Sequence, residues 1–297
     1  MLDTSWLLLP GLGFAAAGFT GAVNSRARKR CLDTQLRGLQ AARQVKHLLA
    51  DVQMHRGMVN TYLSGDKSFQ TRLVDKQAQI DRDLAALDAQ LSELGLAGRR
   101  WQGIRSTWDN LRQKAVSLSL QQSFDSHSLM IRSVLYFMGD VAERCRIAAD
   151  CPAGTTLVPA LWSHLPATAE GLGQARGLGA GVAARGRCSS VTRIKLRFLQ
   201  ERIATTMQRV DHDLAGSGVV QTLGATLTRS WTGTHRTVND FLAMLERELI
   251  NAATPAIAAD QFFQVSTQAI DAVFGVFDQA SETMEQLIRG GARAVPG

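Results

Sequence analysis

Seven heptad-spaced positions occur twice in this chain. Phe124, His127, Ile131, Val134, Met138, Val141 and Cys145 recur 139 residues later (263 − 124 = 139) as Phe263, Ser266, Ile270, Val273, Phe277, Ala280 and Met284, without a gap. Such a stripe is the face along which helices bury against each other. Three further segments recur in the same order. Ile80-Asp-Arg-Asp-Leu84 matches Val210-Asp-His-Asp-Leu214, and Trp101-Gln-Gly103 matches Trp231-Thr-Gly233. Val45, Leu49, Val52, Arg56, Val59 and Leu63 share a 4-3-4-3-4 spacing with Leu165, Ala169, Leu172, Arg176, Gly179 and Ala183. Four matches in one order indicate an internal duplication.

Each half reads as four helices, near 26–64, 67–94, 98–120 and 122–149, then near 156–184, 188–214, 219–251 and 258–290. Ser64-Gly65-Asp66, Gly95, Gly98, Gly186, Gly216-Ser-Gly218 and Pro255 supply the breaks. Short connections make successive helices antiparallel neighbours. The expected fold is all-α, two tandem four-helix bundles over 26–151 and 155–290. Period-2 alternation is nearly absent and there are six prolines, which agrees.

Thr4 to Val23 carries no charge, and Arg26-Ala-Arg28-Lys29-Arg30 comes directly after it. About 20 apolar residues span a bilayer. The basic cluster favours a cytoplasmic position for the remainder of the chain. The expectation is a single-pass anchor over 4–23 in the inner membrane with the main domain in the cytoplasm. A cleaved signal peptide, with a periplasmic protein, is one alternative, although the basic leader of such a peptide is missing, and a buried apolar helix is another.

The matched arginines carry the chemistry. Each sits in an apolar stripe, each is followed by glycine, and their offset is constant (176 − 56 = 120). A lone buried guanidinium is costly unless something anionic meets it. Removing Arg56 is therefore expected to raise the melting point of the empty protein. Guanidinium is planar and can give two parallel hydrogen bonds to a planar oxyanion, which ammonium cannot. A small anion held between helices is one reading. Pairing of Arg56 with Asp81 or Asp83, and of Arg176 with Asp211 or Asp213, is the other.

Other classes have little support. There is no HExxH, GxSxG, P-loop or dinucleotide fingerprint, so no enzyme activity, catalytic residue, cofactor or metal is expected. The net charge of +7 is spread along the chain without a basic face interleaved with aromatics, and nucleic acid is not an expected partner. Cys31, Cys145, Cys151 and Cys188 show no metal spacing and read as reduced thiols. The glycines at 171, 173, 177, 179 and 181 are not preceded by a strand and read as sites of close helix packing around Arg176. His127 and the tryptophans at 101, 108 and 231 read as core.

The segments Leu49-Ala-Asp-Val-Gln53-Met-His55-Arg56-Gly57-Met-Val and Gly173-Gln-Ala-Arg176-Gly-Leu-Gly resemble the two signature helices of the nitrate- and nitrite-sensing domain. Ala259-Asp-Gln-Phe-Phe263-Gln-Val-Ser-Thr267-Gln-Ala-Ile-Asp271 is similar to that family's last helix. The resemblance covers roughly residues 35–290. It implies two four-helix bundles, with nitrate or nitrite held by arginines between them. By position these are Arg56 and Arg176, with Arg236 on the seventh helix. His55 stands where the family usually has a charged residue, and it is a candidate to donate a hydrogen bond to the anion, with simple exposure as the other reading. Arg236 lies off the Trp231–Thr234–Val238 stripe, and His235 is a possible substitute. The family usually carries an output module: an RNA-binding antiterminator, a kinase, a cyclase or a chemotaxis transducer. Little chain remains after Arg289-Gly-Gly, so the expectation is a sensor that signals through a separate protein, with a homodimer left open. Alternatives are a helical scaffold that has lost its ligand and a chemoreceptor-like sensor of another small anion.

Overall fold

The computed structural model describes residues 11–65, 67–149, 152–155, 157–216 and 224–291. Among them all regular structure is helical. Eight long helices are α1 (Gly11–Leu63), α2 (Phe69–Glu93), α3 (Arg99–Lys114), α4 (Leu120–Arg144), α5 (Leu165–Arg185), α6 (Ser190–Gly216), α7 (Gly224–Leu245) and α8 (Ala259–Gly291). A π-turn, Glu246–Ile250, extends α7, and short turns over 152–164 lead into α5. Two boundaries differ from the sequence expectation. Ser119 starts α4 afresh, because its hydroxyl accepts from the Gln122 amide while the Gln122 side chain accepts from the Ser119 amide. This ends α3 at Lys114 rather than near 120. The regular part of α5 begins later than 156, because Pro159 and Pro166 each lack an amide hydrogen.

Local signals set the other ends. Leu73, Ile80, Leu84, Leu87 and Leu91 form the buried stripe of α2. Gly95, at φ +68°, takes the left-handed turn after it, and Leu96 N–H closes onto Leu91 O at 2.8 Å. Gly186, at φ +61°, ends α5 likewise. In α4 and α8 the duplicated stripe is buried at every position from His127 to Cys145 and from Ser266 to Met284. Phe124 and Phe263, the first pair, are half-buried.

α1 packs against α2 and α4 on one side and against α5 and α8 on another, while α5 and α8 pack on each other. This explains why α1 buries more than one stripe: Ala41, Ala42, Val45, Leu48, Leu49 and Val52 are all fully covered. Its neighbours His55 and Arg56 are both buried as well, on different sides of the helix. Ion pairs of Arg43 with Glu285 and Lys46 with Asp278 tie α1 to α8. Arg43, helped by Arg289, holds the Glu285 carboxyl below the usual range.

Part of the expected anchor, residues 4–10, lies outside the described residues, and 11–23 continue into α1. Among the described residues no helix is long and apolar enough to cross a membrane. Cys145 and Cys188 are thiols, and Cys151 lies outside the described residues.

Candidate functional site

The matched arginines face the seam where α1 and α4 meet α5 and α8. Arg56 is 1% exposed and Glu170, on α5, is 2% exposed. The guanidinium grips the carboxylate with both forks, Nη1 to Oε1 at 2.7 Å and Nη2 to Oε2 at 3.1 Å. Gln174 Nε2 donates to Oε1 at 2.7 Å and Gln53 Nε2 to Oε2 at 2.9 Å. A carboxylate offers about four acceptor positions, so Glu170 is saturated. A Cβ at Gly173 would stand 3.0 Å from Arg56 Nη2, so glycine there leaves room for the guanidinium.

Arg56 lies over the Phe124 ring, 5.0 Å from its centroid, and donates to Ser128 Oγ at 3.0 Å. Arg176 lies over the Phe263 ring at 4.9 Å and donates to Thr267 Oγ1 at 3.0 Å. Both hydroxyls in turn donate to the carbonyl four residues back. The two phenylalanines and the two hydroxyls are each related by the offset of 139. The arginine stays at 120, so the same small device is built twice.

The glycine after each arginine has a reciprocal role. Gly177 faces Phe124, the ring beneath Arg56, where a Cβ would lie 3.1 Å from the ring. Gly57 faces Phe263, the ring beneath Arg176, at 3.9 Å. Each half thus admits the aromatic ring of the other. Gly179 lets Phe262 approach to a point only 2.3 Å from where its Cβ would stand, so close packing accounts for this glycine too.

The two devices differ in charge. Arg176 is 3% exposed, and among the described residues no carboxylate lies within ion-pair distance of it. Burial, then the like charge of Arg56, lower its pKa to about 10, while Asp271 and Glu170 pull the other way. It remains a cation at neutral pH. Across Arg56, Glu170 and Arg176 the formal charge is one positive unit. A pocket of about 370 Å³, lined by Asp125, Ser128, Arg132, Glu170, Gln174 and Arg202 among others, reaches Glu170, and neither Arg56 nor Arg176 lines it.

The acidic partners suggested by sequence lie elsewhere. Asp81 accepts from Trp108 Nε1 and Arg112, and Asp83 from Gln79. Asp211 accepts from Trp231 Nε1, and Asp213 pairs with His164. These contacts match Trp231 with Trp108 rather than with Trp101, whose indole bonds to Asp88. Arg112 and His235, each four residues past its tryptophan, both turn to the equivalent aspartate, at 2.6 Å and 3.5 Å. Arg236 is exposed and lines a shallow surface pocket with Asp211, His235 and Asp240, apart from the arginine cluster. Because Glu170 compensates Arg56, the expectation that removing Arg56 relieves a lone charge is corrected: removal would strand Glu170.

His55 turns into the first half. Its Nδ1 lies 2.8 Å from His127 Nε2, its Nε2 lies 3.2 Å from Gln77 Nε2, and His127 Nδ1 lies 2.6 Å from Ser123 O. One assignment of tautomers satisfies the chain: Gln77 donates to His55, His55 to His127, and His127 to the Ser123 carbonyl. Both rings are neutral. Burial, then the fields of His127 and Lys76, push His55 to about 3. Burial also lowers His127 to about 4, against the pull of the Ser123 carbonyl. His55 therefore belongs to a core network and does not join Arg56 and Arg176.

Sequence reasoning missed Glu170, Gln53, Gln174 and Ser128 as parts of the cluster. Ser128 was within reach, since the offset that pairs Phe124 with Phe263 also pairs Ser128 with Thr267. Glu170 had no such signal, because the matching position in α1 is Ala50.

The family model for nitrate and nitrite sensing matches residues 47–285. No curated protein sequence matches the chain. The solved structure of the NasR transcription antiterminator is similar in fold, with a TM-score of 0.69 at 20% identity, covering 95% of this chain and 76% of that one.

Proposed function

The chain belongs to the nitrate and nitrite sensing family, and from that premise we propose that it binds nitrate or nitrite at Arg176 and signals through a separate partner protein. The observation that carries this is the single positive charge left over among three buried ionic groups. Arg56 and Glu170 neutralise each other, and Arg176 has one hydroxyl, from Thr267, and one aromatic face, from Phe263. A planar monoanion with two oxygens on that fork brings the cluster to neutrality. Arg56 supports the site by charge and packing, since its own fork is filled.

On this reading residues 26–151 and 155–290 form two four-helix bundles, and the ligand lies at the seam between them. The ligand favours whichever arrangement of the bundles closes Arg176 around it, and by no more than its difference in affinity for the two arrangements. Residues 4–23 would hold the sensor at the inner membrane. Calorimetric titration with nitrate, nitrite and chloride tests the binding step. Binding of the two oxyanions with little binding of chloride is expected. Equal response to all three would remove the site.

A second reading is favoured by the filled fork of Arg56. If no anion binds, the Arg56–Glu170 pair is a pin holding the halves together, and the protein is a helical scaffold.

A further inference from the structure

We propose that Glu170 is the residue that makes this site select monovalent over divalent anions, an inference that rests on the nitrate or nitrite reading of the Arg176 site. Its carboxylate is buried and saturated by four hydrogen bonds from Arg56, Gln53 and Gln174. A carboxylate held this way is a fixed countercharge and not a movable lid, because release would break all four bonds at once. Asp271 and then Glu170 raise the pKa of Arg176 through their fields. Asp271 is exposed, where water and salt screen it, so Glu170 is the buried countercharge of the two.

Selectivity then depends on the count of buried charge. With Glu170 in place the cluster offers one positive unit. Nitrate or nitrite leaves it neutral, whereas sulfate leaves one uncompensated negative charge in a buried seam. Such a charge is strongly disfavoured. Without the carboxylate the cluster carries two positive units, and sulfate becomes the neutralising ligand. Arg56 then contributes through its charge, which Glu170 cancels, and not through a bond to the ligand.

Three variants separate charge from contact, each titrated calorimetrically with sodium nitrate and sodium sulfate at matched ionic strength. In Glu170→Gln the ratio of sulfate to nitrate affinity should rise at least tenfold over the wild type. Arg56→Gln leaves Glu170 against Arg176 with no net charge, and nitrate affinity should fall at least tenfold. The double variant Arg56→Gln with Glu170→Gln restores one positive unit and replaces the ion pair by two neutral amides, the first of them smaller than the guanidinium it replaces. Its nitrate affinity and its discrimination against sulfate should return to within a few-fold of the wild type. That comparison stands even if a single variant does not fold. An unchanged sulfate-to-nitrate ratio in Glu170→Gln, or a double variant that folds and fails to recover nitrate binding, overturns the proposal while wild-type nitrate binding still stands. A wild type that binds neither anion overturns the ligand reading and this inference together.

Discussion

Arg56 and Arg176 sit on the same device built twice, an aromatic ring below the guanidinium and a hydroxyl one turn further along the facing helix. They differ in one respect. Arg56 meets a buried carboxylate in a two-pronged pair, and Arg176 does not. The two stripes carry cations in equivalent surroundings, and a single residue, Glu170, sets them apart. One joins the halves of the molecule. The other is left as a buried cation without a carboxylate at ion-pair distance among the described residues, and this is the one to which the proposed anion is assigned.

The largest expected effect breaks the comparison at the paired side. Arg56→Ala strands Glu170 in the seam and should cost about 3–5 kcal/mol in denaturant unfolding. Arg176→Met removes a buried cation without stranding a carboxylate, so it should cost less than about 1 kcal/mol or stabilise. Equal losses in the two variants would mean that the sites are not differentiated.

A second difference lies in the core behind them, where His127 in α4 matches Ser266 in α8. His55 and His127 are held neutral, with pKa lowered to about 3 and about 4 from an ordinary 6.5. The unfolded chain therefore takes up protons first as pH falls. Stability from this pair is complete above pH 6.5 and is lost on acidification towards pH 4. The slope is about 1.4 kcal/mol per pH unit for each ring, hence up to about 2.7 for both. Unfolding curves between pH 7 and 5 check this. His127→Ser, which gives α4 the residue of α8, should reduce the slope. A flat profile in the wild type would contradict a neutral, buried pair.

The smallest effect sharpens the comparison at the glycines. In Gly177→Ala the new methyl meets the Phe124 ring at 3.1 Å. The crowding should exceed the helix propensity gained, with a net loss of about 1 kcal/mol. In Gly57→Ala the gap to Phe263 is 3.9 Å, ordinary contact. That variant should be neutral or more stable by up to about 1 kcal/mol. Thermal melting of the two variants side by side decides it. A reversed order would mean that the rings do not cross the seam as described.

Much of the fold is legible in the sequence because helices advertise themselves by period. The stripe from Phe124 to Cys145 and its copy are local patterns, and they are the buried faces of α4 and α8. The boundaries that shifted depend on signals weaker than the stripes: the hydroxyl of Ser119, and prolines at 159 and 166 that erode a helix start. The candidate cluster was half legible. Two arginines on apolar stripes stand out because burying charge is costly, and Gly57 and Gly177 stand out beside them. Glu170 does not stand out, because a glutamate near the edge of a helix stripe is ordinary. Its burial exists only once α5 meets α1. His55 and Arg236 show the converse. Adjacency in sequence to Arg56, or a matching place in a family pattern, does not set the direction of a side chain. One is turned into a core network with His127, and the other to the surface.

The most direct measurement is the nitrate-dependent melting shift of the wild type against Arg176→Lys. Nitrate at 100 times its dissociation constant should stabilise the wild type by about 2.7 kcal/mol. For a chain of this size that is a shift of several degrees. Chloride at equal ionic strength should give much less. Lysine keeps the charge and loses the planar fork, so most of the nitrate shift should disappear in Arg176→Lys. An equal shift with nitrate and chloride, or a full nitrate shift in Arg176→Lys, would contradict an oxyanion held by the unpaired arginine.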